Sequence, residues 1–196
     1  GYNLGNGIYI EGWMDWREPP SPPLSGTFSI QNSTFRTYAY GTPLWNLSNA
    51  SVVVSHNVYE GISLAMDGGD LVKTDVEFSH NQVKGGAIGL DFWEAGVPEQ
   101  EDSSFLINNN LFQTDLLGVA FEQTFGEGNQ CLLLGNNVQN VTGLGIFLGE
   151  GIHGCTVVGS SSKTNVLDLG TDNTLVGVNN TGMGVGPAIR RLLRPK

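Results

Sequence analysis

Apolar and polar residues alternate through most of the chain, and the alternation repeats. TFSIQNSTF from Thr27, SVVVSHNVY from Ser51, DVEFSHNQV from Asp75, SFLINNNLF from Ser104 and CLLLGNNVQ from Cys131 can be laid on one another. A weaker sixth copy, CTVVGSSSK, begins at Cys155, and successive copies start 24 to 29 residues apart. Each copy predicts a one-sided strand ended by a polar turn, the turn position holding Ser33, Asn57, Asn81, Asn110, Asn137 and Ser161. A second strand follows each turn: TYAYG, GISLAMD, AIGLDFW, GVAFEQ and GIFLGE, with GIYIEG at Gly7 of the same kind. Period-2 alternation assigns Ile62 and Leu64, Ile88 and Leu90, Val119 and Phe121, and Ile146 and Leu148 to the inside. One such coil cannot bury its apolar face alone. Coils stacked about 4.8 Å apart can, and they bring equivalent residues into columns.

The apolar strand, the Asn-Asn or His-Asn turn and the Gly-Ile-x-Leu that follows resemble the right-handed parallel β-helix superfamily, the pectate-lyase-like solenoids. The resemblance covers roughly residues 5 to 180. It implies an all-β fold, a right-handed parallel β-helix of six to seven coils. A left-handed β-helix is the rival, but its strict six-residue period is absent. The chain reads as one domain over residues 1–196, or as the C-terminal part of a longer solenoid. Residues 183–196 are expected to cap it. Pro187 suits a helix start, and Ile189, Leu192 and Leu193 share one helical face.

Composition narrows the field of functions. The formal net charge is −10, and only 14% of residues are charged. That balance argues against nucleic acid and anionic membrane as partners. The 28 Gly and 18 Asn suit tight turns and argue against helical bundles. No apolar run reaches the roughly 18 residues of a membrane span, so no membrane insertion is expected. The opening GYNLGNGIYIEG lacks the basic and apolar regions of a signal peptide.

Candidate chemistry lies on outward columns and in the connections between strands. All four Trp and many acids fall in those connections. Aligning the second strands places Ser63, Gly89 and Ala120 in one small-residue outward column, over which a ligand can approach the backbone. Trp45 and Trp93 would flank this column as sugar-stacking platforms. One outward step on, Asp91 and Glu122 would be neighbours on adjacent coils. Stacked like charges suggest a shared proton, a bound cation such as calcium, or two solvated acids. Asp91 and Glu122 are thus the candidate catalytic pair and the candidate metal ligands. His56 and His80 would stack at the turn, as packing residues or as two metal ligands without a third.

The first-strand outward column is expected to contain Leu106, Leu133 and Val157, an apolar stripe suited to a homo-oligomer interface or to a covering segment. Cys131 and Cys155 stand at equivalent positions of consecutive coils, so proximity is predicted, and a disulfide if the compartment is oxidising. Asn-x-Ser/Thr sequons occur at Asn32, Asn46, Asn49, Asn140 and Asn179, compatible with a glycosylated secreted protein.

The resemblance supplies no catalytic motif. The basic residues of pectate lyases are missing from the Asp91–Glu122 column. The Asp-Asp, Gly-His-Gly and Arg-Ile-Lys motifs of polygalacturonases and the Asp-Pro-His-Asp motif of alginate epimerases are absent. Two readings follow. The first is a secreted or cell-surface β-helix that binds, and in its fuller form cleaves, an acidic or neutral polysaccharide. The second is a non-catalytic structural, adhesive or assembly solenoid.

Overall fold

The computed structural model describes residues 7–12, 22–36, 39–93, 102–122, 128–139, 144–159 and 165–180. Among them every strand pairing is parallel, and each strand pairs with its equivalent one coil away. The protein is an all-β parallel solenoid. Each complete turn has three faces. The first comprises Leu24–Gln31, the second halves of Leu44–Ser55 and Leu64–Ser79, then Ser104–Asn108, Gln130–Leu134, Cys155–Val158 and Thr174–Val176. The second face comprises Ile10–Glu11, the first halves of the two long strands, Ile88–Phe92, Leu117–Phe121, Leu144–Leu148, Asn165–Asp168 and Asn179–Asn180. The third is a five-stranded sheet of short strands from Thr34–Arg36 to Asn137–Val138. It counts about five turns rather than six to seven, with partial turns extending the other faces. Its strands of two or three residues are too short to show a period, so the alternation points to two faces only. The expected cap at 183–196 lies outside the described residues.

The corners explain why Asn and Gly are so frequent. Where the first face turns into the third, Asn32, His56, His80, Asn109 and Gly135 form a register column with φ between 52° and 64°. A second column of positive φ, Asn49, Lys73, Asp102 and Gly128, bends the second face into the first. Asn and Gly adopt this left-handed backbone at low cost.

Next to the first corner runs a buried amide ladder. The backbone N–H groups of Ser33, Asn57, Asn81 and Asn110 donate to the side-chain oxygens of Asn57, Asn81, Asn110 and Asn136, at 2.8–3.1 Å. Each side-chain amide in turn donates to a strand carbonyl of the preceding coil: Ile30, Val54, Phe78 and Ile107. The last rung among the described residues is Asn136, where the sequence alignment chose Asn137. Ser104 pairs with Gln130, so that alignment was one residue out.

A one-residue slip turns a strand inside out. Leu133 and Val157, expected outward, are therefore core residues, each 1% exposed. The outward column reads Leu106, Leu132 and Thr156 instead. The stripe proposed as an oligomer interface from Leu106, Leu133 and Val157 does not exist in that form.

Aromatic rings stack along the interior. Phe35, Tyr59, Phe78 and Phe112 follow one another at centroid distances of 4.8, 5.9 and 6.2 Å. Phe92 stacks on Phe121 at 5.0 Å, with Phe105 edge-on to both. Cys131 and Cys155 are paired in register and joined by a disulfide, with their Cα atoms 4.6 Å apart. Both point inward and are buried.

Candidate functional site

The outer side of the second face changes character along the solenoid axis. Its middle column reads Asp67, Asp91, Ala120, Phe147 and Leu167 in register. Ile10, Leu44 and Gly68 are also in register, so Tyr9 and Pro43 lie at the head of this column. The next outward column reads Glu11, Trp45 and Gly69. It continues past the strand ends, where the Trp93 N–H donates to the Gly68 carbonyl and the Glu122 N–H to the Phe92 carbonyl. Beyond Asp91 the face is apolar: Ala120, Phe147 and Leu167 form a buried outer cluster with Leu117 and Leu144. The acidic and aromatic half thus abuts an apolar half, and Asp91 sits at the border.

Glycine places the two tryptophans. A side chain at Gly69 would collide with the Trp45 ring and the Trp93 carbonyl. With hydrogen there, the Trp45 indole lies over bare backbone. Trp93 meets it edge-on, with centroids 4.9 Å apart and planes 74° apart. Trp93 is 41% exposed, and Tyr9 and Tyr40 at the N-terminal side are also exposed. Rings within this range of each other, open to solvent on one side, make a platform for a flat ligand.

Asp67 is 6% exposed and accepts a hydrogen bond from the Trp45 side chain. Its Oδ1 accepts none among the described residues, and neither does Oδ1 of Asp91. Burial raises Asp67 to a pKa of about 6, and the charge of Glu11 adds to the rise. Asp91 is raised to about 7, by burial first, then by Glu122 and Asp67. Glu122, at the open rim, is raised by partial desolvation. Tyr9 is raised by burial and by the charges of Asp67 and Glu11. Parallel neighbours lie about 4.8 Å apart at Cα, so two carboxylates stand side by side in a partly dehydrated setting. At neutral pH the pair holds part of a proton.

The structure rearranges the site read from the sequence. Asp91 stacks on Asp67 and Ala120, not on Glu122, although the Glu122 charge still reaches it. Ser63, Gly89 and Ala120 do not share a column. Ser63 is exposed at the start of the second face, whereas a side chain on Gly89 would run into the Phe112 ring of the third face. Ala120 is completely buried. Trp45 and Trp93 do come together, at the acids rather than flanking a small-residue column. The cause is a two-residue register error. Shifting a strand by two preserves its inward–outward alternation, so polarity alone cannot detect it. Aligning Leu-Ala-Met-Asp at 64–67 with Ile-Gly-Leu-Asp at 88–91 keeps the first-face spacing and would have paired Asp67 with Asp91.

Other features carry less chemistry. Among the described residues no three His, Cys, Asp or Glu side chains gather as a metal-binding group. His56 and His80 stack with planes 3° apart and centroids 4.9 Å apart, as exposed corner residues. A groove of about 470 Å³ crosses the outer first face over Leu106, Gln130, Leu132 and Thr156. It holds no cluster of acids. No helix among the described residues is long and apolar enough to cross a membrane.

Comparison of the chain with protein-family models, with curated proteins and with solved structures finds no match.

Proposed function

We propose that this solenoid binds a carbohydrate chain laid across the N-terminal half of its outer second face. One observation carries the reading: the Trp45–Trp93 pair, with Trp93 exposed and Trp45 half-buried, stands beside the in-register Asp67–Asp91 pair, whose buried Oδ1 atoms lack hydrogen-bond partners among the described residues. Indole faces cover the C–H faces of sugar rings, and unpartnered carboxyl oxygens accept sugar hydroxyls. The buried disulfide and the exposed sequon residues Asn32 and Asn49 favour an oxidising, extracellular setting for this binding.

Cleavage is the second reading, favoured by the proton that Asp91 retains near neutrality. A protonated carboxyl beside an ionised one is the equipment of glycosidic hydrolysis, one group donating to the leaving oxygen and the other acting as base or nucleophile. The test is a panel of neutral, acidic and amino-sugar oligosaccharides, with and without calcium, read by tryptophan fluorescence for binding and by new reducing ends for turnover. Binding that Trp45→Ala and Trp93→Ala both abolish is the expected result. No binding to any member would leave the structural or adhesive solenoid as the function.

A further inference from the structure

We propose that the Asp67–Asp91 pair and its aromatic surround form a subsite for a primary ammonium group, so that the carbohydrate recognised is a cationic amino-sugar polymer. The inference rests on the carbohydrate-binding reading of the same face and names its substrate class. Four acids follow one another along this face without gathering into one cluster: Glu11 acts on Asp67, and Asp67 and Glu122 act on Asp91. The described Lys and Arg residues are Arg36, Lys73 and Lys84. Arg36 and Lys84 are on the third face, Arg36 bound to Glu60 at 2.7 Å, and Lys73 is at the corner into the first face. None stands on the columns that carry the acids. Among the described residues no cation on these columns offsets the acids, which disfavours a polyanionic chain at this face.

A cation suits these acids, and its type follows from the donors. Calcium takes six to eight oxygens, and magnesium needs near-octahedral geometry. The absence of any three-acid metal group among the described residues fits neither. An ammonium needs only about three acceptors, and it is drawn to aromatic faces as well. Here Asp67 and Asp91 are paired in register and each has a carboxyl oxygen with no partner among the described residues, while Trp45 donates to Asp67, Trp93 packs on Trp45, and Tyr9 is within electrostatic reach of Asp67. An ammonium between Asp67 and Asp91 would remove their mutual repulsion, restore the hydrogen bonds their Oδ1 atoms lack, and stabilise both in the ionised form. The 2-amino group of a glucosamine unit presents that charge at the edge of a ring whose C–H face suits Trp93.

The test compares a glucosamine oligomer with its fully N-acetylated counterpart and with a cellulose oligomer of equal length, by isothermal titration calorimetry at neutral pH. The glucosamine oligomer should bind about tenfold or more tightly than either neutral chain, the scale of one charge-assisted contact. In the Asp67→Asn/Asp91→Asn double variant that preference should vanish, so that the glucosamine and acetylated oligomers bind alike. Chemical denaturation of the same variant checks that it is folded. Equal or weaker binding of the glucosamine oligomer, or a preference that survives the double substitution, would overturn the ammonium subsite and leave carbohydrate binding standing. Failure of all three oligomers to bind would remove both.

Discussion

Replacing Asp91 by Asn should stabilise the protein, and the gain should depend on pH in a defined direction. Asn matches a protonated Asp in shape and never ionises. In the folded state Asp91 is raised from 3.8 to about 7, chiefly by burial. Its folded pKa therefore lies above its unfolded one, so the folded state holds the proton more tightly. The contribution of Asp91 to wild-type stability falls as pH rises from about 4 towards 7, then levels off. A displacement of that size corresponds to about 4 kcal/mol at full ionisation. Part of it is repulsion shared with Asp67 and Glu122, and the solvent that reaches Asp91 screens some more, so we expect a gain of about 2–4 kcal/mol at pH 8. Well below the unfolded value of 3.8 the carboxyl is protonated in both states, and variant and wild type should coincide. Urea denaturation across this range, with the disulfide kept oxidised, measures the difference directly. Subtracting the two profiles removes the groups they share. A difference that stays flat with pH, or a variant less stable than wild type at pH 8, would refute the buried-pair reasoning. A protein that keeps a destabilising carboxylate pair under its aromatic platform carries strain of the kind found at functional sites.

Three further outcomes follow from the geometry. Asn81→Ala should cost about 2–5 kcal/mol by chemical denaturation, because it strands the buried Asn57 N–H and the Val54 carbonyl; a cost below 1 kcal/mol would mean the ladder is ornamental. Replacing Cys131 and Cys155 together by Ala should lower stability by about 3 kcal/mol for a bridge spanning 24 residues, measured against the oxidised protein. Gly69→Ala places a methyl against the Trp45 ring, so near-ultraviolet circular dichroism should lose its Trp–Trp signal and carbohydrate binding should weaken, while the Asn81 ladder stays intact.

The solenoid was legible because its signals are local and repeated. Period-2 alternation, a turn Asn in each coil and a spacing near 24 residues point to stacked parallel coils, and the cysteine pairing follows from the same spacing. The third face was not legible, since strands such as Gln82–Lys84 are too short to show a period. The site was half legible. Trp45, Trp93 and Asp91 were identified by type, but Asp67 and Glu11 were not joined to them.

Local chemistry thus determined, from sequence alone, that the chain coils, that Asn lines its turns and that its outer face carries acids and tryptophans. Only the tertiary structure decided which acid meets which. Burial depends on whether a side chain points in or out, and a shift of two residues leaves that unchanged, so composition and alternation are blind to it. Backbone hydrogen bonds between coils set the register instead, together with the packing of the Phe112 ring against Gly89 and of the Trp45 ring against Gly69. Those contacts place Asp91 against Asp67 and turn Leu133 and Val157 into the core. The dehydration that raises the carboxyl pKa values arises from neighbours distant in sequence and exists only once the coils have stacked.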